Sequence, residues 1–135
     1  MEWSTWANLD AQKNIELILL KGHLILESLI DVALAKNSLE KELDYSFFRK
    51  VNCLKLLPSQ NFAKIDELSS YLHALNKMRN KLAHEYSYNI NNGEIEKWSL
   101  EVLNSFEGMK FTKFTCRTKI VHAFSALAKA LAKIE

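Results

Sequence analysis

The stretch IELILLKGHLILESLIDVALA, residues 15–35, decides the fold. It is the most apolar run in the chain, yet Glu16, Lys21, His23, Glu27 and Asp31 interrupt it, and a membrane span does not tolerate that many polar and charged groups. At about 100° per residue, Ile15, Ile18, Leu19, Gly22, Ile25, Leu26, Leu29 and Ala33 gather on one wide face, the pattern of an amphipathic helix. The opposite side is mixed, with Leu20 and Leu24 beside His23, Glu27 and Asp31. Such a helix has two surfaces to cover, one by the core and the other by a partner. The sequence predicts that it starts after Ser4 or Asn8 and runs to about Ala35.

Working outward, punctuation is sparse: three glycines and one proline in 135 residues imply long regular elements and few turns. A second helix is expected over about 45–57, with Phe47, Phe48, Val51, Leu54 and Leu57 as its apolar positions and Pro58 as its stop. A third is expected from about 62 to 83 or a little beyond, striped by Ile65, Leu68, Leu72, Leu75 and Leu82. YSYNINNG reads as a loop with Asn92-Gly93 as its turn, and a fourth helix follows over about 94–106. EGMKFTKFT is irregular, and a last helix over about 116–134 places Ile120, Phe124, Leu127 and Leu131 at helical spacing. The expected architecture is all-α: one domain over residues 1–135, an up-and-down bundle of about five helices.

Composition agrees with a globular domain, 48% apolar and 25% charged. The 18 Lys and Arg against 16 Asp and Glu leave a net charge of +2, too little to drive binding to nucleic acid or acidic membranes by bulk charge. Any RNA contact must come from local placement. Cys53 and Cys116 lie far apart within apolar runs, which is neither a disulfide framework nor a metal spacing. With MEWSTWANLD lacking a basic leader region, the expectation is a cytoplasmic protein with no membrane segment, no metal and no cofactor.

The candidate site is ALNKMRNKLAHEYSYN, residues 74–89, which crowds Arg79, Asn80, His84 and Tyr86 into eight residues. On a regular helix Arg79 points with Leu68, Leu72 and Leu75 into the apolar stripe, where a guanidinium needs a compensating group. Glu27 or Asp31 of the first helix is the expected partner. His73, Lys77, Asn80 and His84 fall within about 60° of one another on another face, and Arg79 and His84 are about 140° apart. Both reach one phosphate only if the helix ends near Ala83, the arginine swings round, or two chains share the site. Such a set suits phosphoryl chemistry on RNA. His84 would move a proton, as imidazoles do near neutral pH, and Arg79 would hold the non-bridging oxygens with a planar charged fork. Asn80 would bond substrate or hold the histidine, and Tyr86 offers a ring for base stacking. Lys77 and Lys81 are candidate RNA contacts. The alternative is a helix C-terminus decorated with favourable cations, with His73 as a solvated or packed side chain, His23 and His122 as interface or core residues, and Lys77 and Lys81 as a solvated face.

MRNKLAHEY resembles the signature of HEPN domains: an arginine, usually a polar residue directly after it, and a histidine four to six residues on. KGHLILESLIDVAL, SFFRKVNCLKLL and LNKMRNKLAHEY also occur in the order seen in small bacterial HEPN proteins, including those like the mannitol repressor, a similarity covering roughly residues 21–86. The resemblance implies a HEPN-type bundle, homodimeric through the first and third helices, with both Arg/His motifs in one cleft. It further implies a metal-independent endoribonuclease of a toxin–antitoxin or phage-defence system, leaving a 2′,3′-cyclic phosphate, with Arg79 and His84 catalytic and Asn80 supporting. In the toxin branch paired with a nucleotidyltransferase antitoxin, a tyrosine two positions after the histidine is the site of AMP modification; Tyr86 stands there. The repressor-like group implies instead a non-catalytic dimeric regulator or binding module. The intact Arg79-Asn80-His84 set favours the nuclease. A structural subunit of a larger complex is the third reading, allowed by the two surfaces of the first helix.

Overall fold

The computed structural model describes residues 9, 14–39, 44–57, 64–107 and 115–134. These form five helices and no strand: α1 Ile15–Lys36, α2 Phe47–Leu54, α3 Ile65–His84, α4 Glu94–Phe106 and α5 Cys116–Ala132. Four of the five starts have a local cause. Asn14 is extended and its Oδ1 accepts from Glu16 N–H at 2.8 Å, so α1 begins at Ile15 rather than running unbroken from Ser4 or Asn8, residues that lie outside the described set. Ser46 caps α2 and Thr115 caps α5 through their hydroxyls. Gly93, at φ 92°, supplies the left-handed turn before α4, as the Asn-Gly pair requires, and Asn92 Oδ1 accepts from Glu94 N–H at 2.9 Å.

The ends are equally local. After α1, Ser38 takes φ 62° while its N–H reaches Ala35 O and the Leu39 N–H reaches Leu34 O. This is a Schellman turn, with half-buried Leu39 and buried Leu34 as its apolar pair. α2 is shorter than the expected 45–57, because residues 55–57 leave the helix in a tight turn; Pro58 and Phe62 lie outside the described residues. α3 ends at His84, as expected for an end at Ala83 or a little beyond, with Glu85 closing on Lys81 O. α4 matches the expected bounds, and α5 stops two residues short of Ile134. Most of EGMKFTKFT, residues 108–114, lies outside the described set.

The apolar stripes meet in one core. α1 packs against α2, α3 and α5, α3 against α2 and α4, and α4 against α5. Ile18, Leu26, Leu68, Leu72, Val102, Phe124 and Leu127 are fully buried in it. The α1–α5 crossing is close because Gly22 has no side chain: a Cβ there would lie 2.4 Å from Phe124 Cε1. Phe124 in turn packs on Trp98 of α4, ring centroids 5.3 Å apart. On the far side of α1, Leu17, Leu24 and Val32 remain exposed, Leu24 at 61%. Of the second surface expected of this helix, Leu24 is exposed and Leu20 half-buried, whereas His23 is buried and Glu27 and Asp31 pair with Lys50 of α2, so α2 and α3 cover much of it within one chain. Among the described residues no helix is long and apolar enough to cross a membrane.

Polar contacts tie α3 to its neighbours. His23 Nε2 of α1 lies 3.0 Å from Asn76 Oδ1, and His73 Nε2 lies 3.0 Å from Asn52 Oδ1 of α2. On the opposite side, Trp98 Nε1 donates to Tyr71 O at 3.0 Å. His23 is 4% exposed and its ring lies against Phe47, centroids 4.1 Å apart, so of its two expected places, interface or core, it takes the core.

Candidate functional site

α3 carries the whole Arg79-to-His84 set on one unbroken helix, so its side chains leave the axis in the directions the wheel assigns. The direction of Arg79 does coincide with that of buried Leu68, Leu72 and Leu75, but the side chain is only half buried and opens into a groove. That groove, about 460 Å³, lies between α1, α2 and α3. Arg79, Asn80 and Asn76 form its α3 wall, His23 and Glu27 its α1 wall, and Ser46, Phe47 and Phe48 the wall at the start of α2. The guanidinium swings toward Asn80, with Nη1 donating to Asn80 Oδ1 at 3.1 Å. This is one of the three arrangements that allow the arginine to approach the histidine's side of the helix.

The carboxylate expected to satisfy Arg79 is committed elsewhere. Glu27 Oε2 lies 3.2 Å from Lys50 Nζ, and Asp31 Oδ1 lies 2.9 Å from the same ammonium. Burial alone would lower the Lys50 pKa, but hydrogen bonds and charge from Asp31 and Glu27 outweigh it and raise the pKa. The physical reason lies on α2: Lys50 falls on the face that carries buried Phe47, Val51 and Leu54, so its buried ammonium takes the nearest acids of α1. Among the described residues Arg79 makes no ion pair. It shares the groove with Glu27, but its hydrogen bond goes to an amide.

His84 is the last residue of α3 and is exposed. It lies about 7.5 Å along the axis from Arg79 and about 140° around it, but only about 40° around from Asn80. Asn80 therefore stands between the two, lining the groove on one side and neighbouring His84 on the other. His84 itself does not line the groove within one chain. Tyr86, in the turn after α3, is fully exposed.

The two lysines proposed as RNA contacts are separated from Arg79. Lys77 and Lys81 line a second groove, about 340 Å³, between α3 and α4, together with Lys97, Trp98, Glu94 and Glu101. Lys81 Nζ is 3.3 Å from Glu94 Oε2, so its charge is largely answered within the chain. A face of mixed sign replaces the basic patch.

Sequence reading did not single out the partners of Arg79 in its groove. His23 and Asn76 belong to two helices whose pairing no single-helix pattern contains. The i−3 spacing of Asn76 to Arg79 was the available signal. Burial lowers the His23 pKa below its ordinary value, with the Asn76 hydrogen bond opposing, Arg79 reinforcing and Glu27 opposing, so the ring is neutral at neutral pH. His73 is likewise lowered by burial, with Lys55 adding to the effect. Among the described residues no cluster of His, Cys, Asp and Glu side chains is arranged to hold a metal ion. No family model, curated protein or solved structure matches the chain.

Proposed function

We propose that the chain is a metal-independent endoribonuclease of HEPN type, a toxin or phage-defence component acting as a homodimer in the cytoplasm. The observation that carries this reading is the Arg79 guanidinium, half buried, without an acidic partner among the described residues, and turned onto Asn80 beside the direction of His84. A cation held over an open groove and answered only by an amide is suited to receive an anion, and RNA phosphate supplies one. His84 takes the proton of the RNA 2′-hydroxyl, whose oxygen attacks phosphorus. The 5′-oxygen leaves with a proton from His84 of the second copy, and the products are a 2′,3′-cyclic phosphate and a 5′-hydroxyl. Arg79 holds the non-bridging oxygens as charge develops on them. The second copy meets the uncovered face of α1 and the end of α3, which brings two Arg/His sets into one cleft. A nucleotidyltransferase-type antitoxin, acting on exposed Tyr86, completes the proposed system.

The test is RNA incubated with the dimer in excess chelator. Wild type is expected to cut it, leaving cyclic phosphate ends, while His84→Ala and Arg79→Ala each lose roughly a hundredfold or more in rate and keep their helical circular dichroism. Cleavage by His84→Ala at the wild-type rate overturns the assignment.

One observation favours a second reading, a non-catalytic dimeric regulator: within one chain Arg79 and His84 do not line a common groove, while Leu17, Leu24 and Val32 offer a face for association. Dimerisation without cleavage in the same assay is its signature.

A further inference from the structure

We propose that the groove between α1, α2 and α3 is a subsite for one nucleotide of an RNA strand, with the phosphate on Arg79 and Asn76 and the base against the ring of Phe48. The proposal rests on the ribonuclease reading: the phosphate on Arg79 is the one that reacts, and the groove says where the base of its nucleotide lies. Three features of the groove converge on it. Arg79 brings a charge that no described carboxylate pairs with, and the carboxylate lining the groove, Glu27, is held by Lys50. Asn76 spends its Oδ1 on His23, which leaves its amide N–H groups as donors to the groove that it lines. Phe48 is 54% exposed, and its ring is steadied at 4.7 Å from the His73 ring, which Asn52 holds in turn.

Among the exposed large apolar side chains of the described residues, Phe48 is the one that lines this groove; Leu17, Leu24, Val32, Leu56 and Tyr86 do not. An open aromatic face beside an unanswered guanidinium and amide donors matches a base joined to a phosphate. An apolar helix of a protein partner would leave those donors unpaired. A volume of about 460 Å³ accommodates a ligand of nucleotide size.

The subsite is tested in the His84→Ala background, where cleavage does not interfere, by fluorescence anisotropy in chelator. The probes are a short fluorescein-labelled oligouridylate and the same oligomer with abasic riboses. The base-bearing probe is expected to bind roughly tenfold tighter, the order of one stacked base. Adding Phe48→Ala or Phe48→Leu abolishes that preference, Phe48→Tyr retains it, and Arg79→Ala weakens both probes alike. Because the ring is exposed, all three Phe48 variants keep the wild-type melting temperature within a few degrees. An unchanged preference in Phe48→Ala and Phe48→Leu overturns the subsite. If those variants also turn from dimer to monomer in light scattering, the ring belongs to contact with a second copy. Failure of wild type to cut RNA, with the base preference intact and dependent on Phe48, removes the catalytic reading alone. Cutting with no such dependence removes the subsite alone.

Discussion

His23 of α1 and Asn76 of α3 are joined at 3.0 Å between Nε2 and Oδ1, a part-buried bond that ties together two residues lining the Arg79 groove. Protonating the ring keeps that bond, because Nε2–H still donates to the amide oxygen; the cost of protonation comes from burying the charge. His23 has its pKa lowered by burial, with Arg79 adding to the shift and Asn76 and Glu27 opposing it. A histidine with a depressed folded pKa is protonated in the unfolded chain before it is protonated in the fold. Stability is therefore complete above the ordinary histidine value, near 6.5, and is lost as pH falls through it until the folded ring also protonates. His73, lowered in the same direction, adds to the loss. The unfolding free energy should fall between pH 7 and pH 5, by at most about 1.4 kcal/mol per pH unit for each histidine, and the melting temperature should fall with it. His23→Gln, neutral throughout, should flatten part of that slope. An identical slope in the variant would show that His23 is not the sensitive group.

Lys50 makes a second prediction about α1. Its side chain is 5% exposed and lies between Glu27 and Asp31, whose side chains are 27% and 35% exposed. Lys50→Ala leaves two neighbouring carboxylates without their common cation. Partial exposure lets water answer some of that charge, so the expected cost is about 1–3 kcal/mol. Glu27→Ala keeps the Asp31 pair and should cost less, about 1 kcal/mol. Denaturant unfolding measures both. A larger loss for Glu27→Ala than for Lys50→Ala would contradict this arrangement and return Glu27 to Arg79.

At the α1–α5 crossing, Gly22→Ala should destabilise by about 1–3 kcal/mol, because the new methyl falls 2.4 Å from Phe124 Cε1. Phe124→Leu, which retracts the ring edge, should recover part of that loss in the double variant relative to the sum of the two single changes. Thermal unfolding of the four proteins in the cycle reads the coupling. Strict additivity would mean that the helices shift apart instead of pressing on the ring.

Tyr86 is fully exposed in the turn after α3, free of packing that a substitution could disturb. Tyr86→Phe should leave the melting temperature and RNA cleavage close to wild type. Incubated with ATP and a nucleotidyltransferase antitoxin, the wild-type chain should gain the mass of AMP and stop cutting RNA, whereas the variant should do neither. The same mass gain on Tyr86→Phe would move the modification to another residue.

Much of the fold was legible in single segments. The apolar period of residues 15–35 implied an amphipathic helix with two faces to cover, and α1 has Leu26 and Ile30 buried and Leu24 exposed. Asn92-Gly93 implied a turn, and Gly93 has the positive φ. The start of α1 was misplaced because Asn14 caps it: a polar residue inside a long helical pattern reads equally as surface or as cap until its backbone is known. The partner of Glu27 was misassigned because a sequence does not say which cation of another helix arrives first. Lys50, on the buried face of α2, arrives before Arg79.

The sequence by itself determined the elements and the order of side chains around each helix, because periodicity, capping and turn chemistry act over a few neighbouring residues. It therefore placed Arg79 in the apolar stripe and His84 some way round the axis. Only the tertiary structure decided what those side chains meet. Packing of α1 and α2 against α3 put His23, Asn76 and Phe48 around Arg79, and packing of α4 drew Lys77 and Lys81 into a different groove. A wheel orders directions about one axis, whereas a groove exists only between helices, and their offsets are set by how the side chains of the whole core interlock.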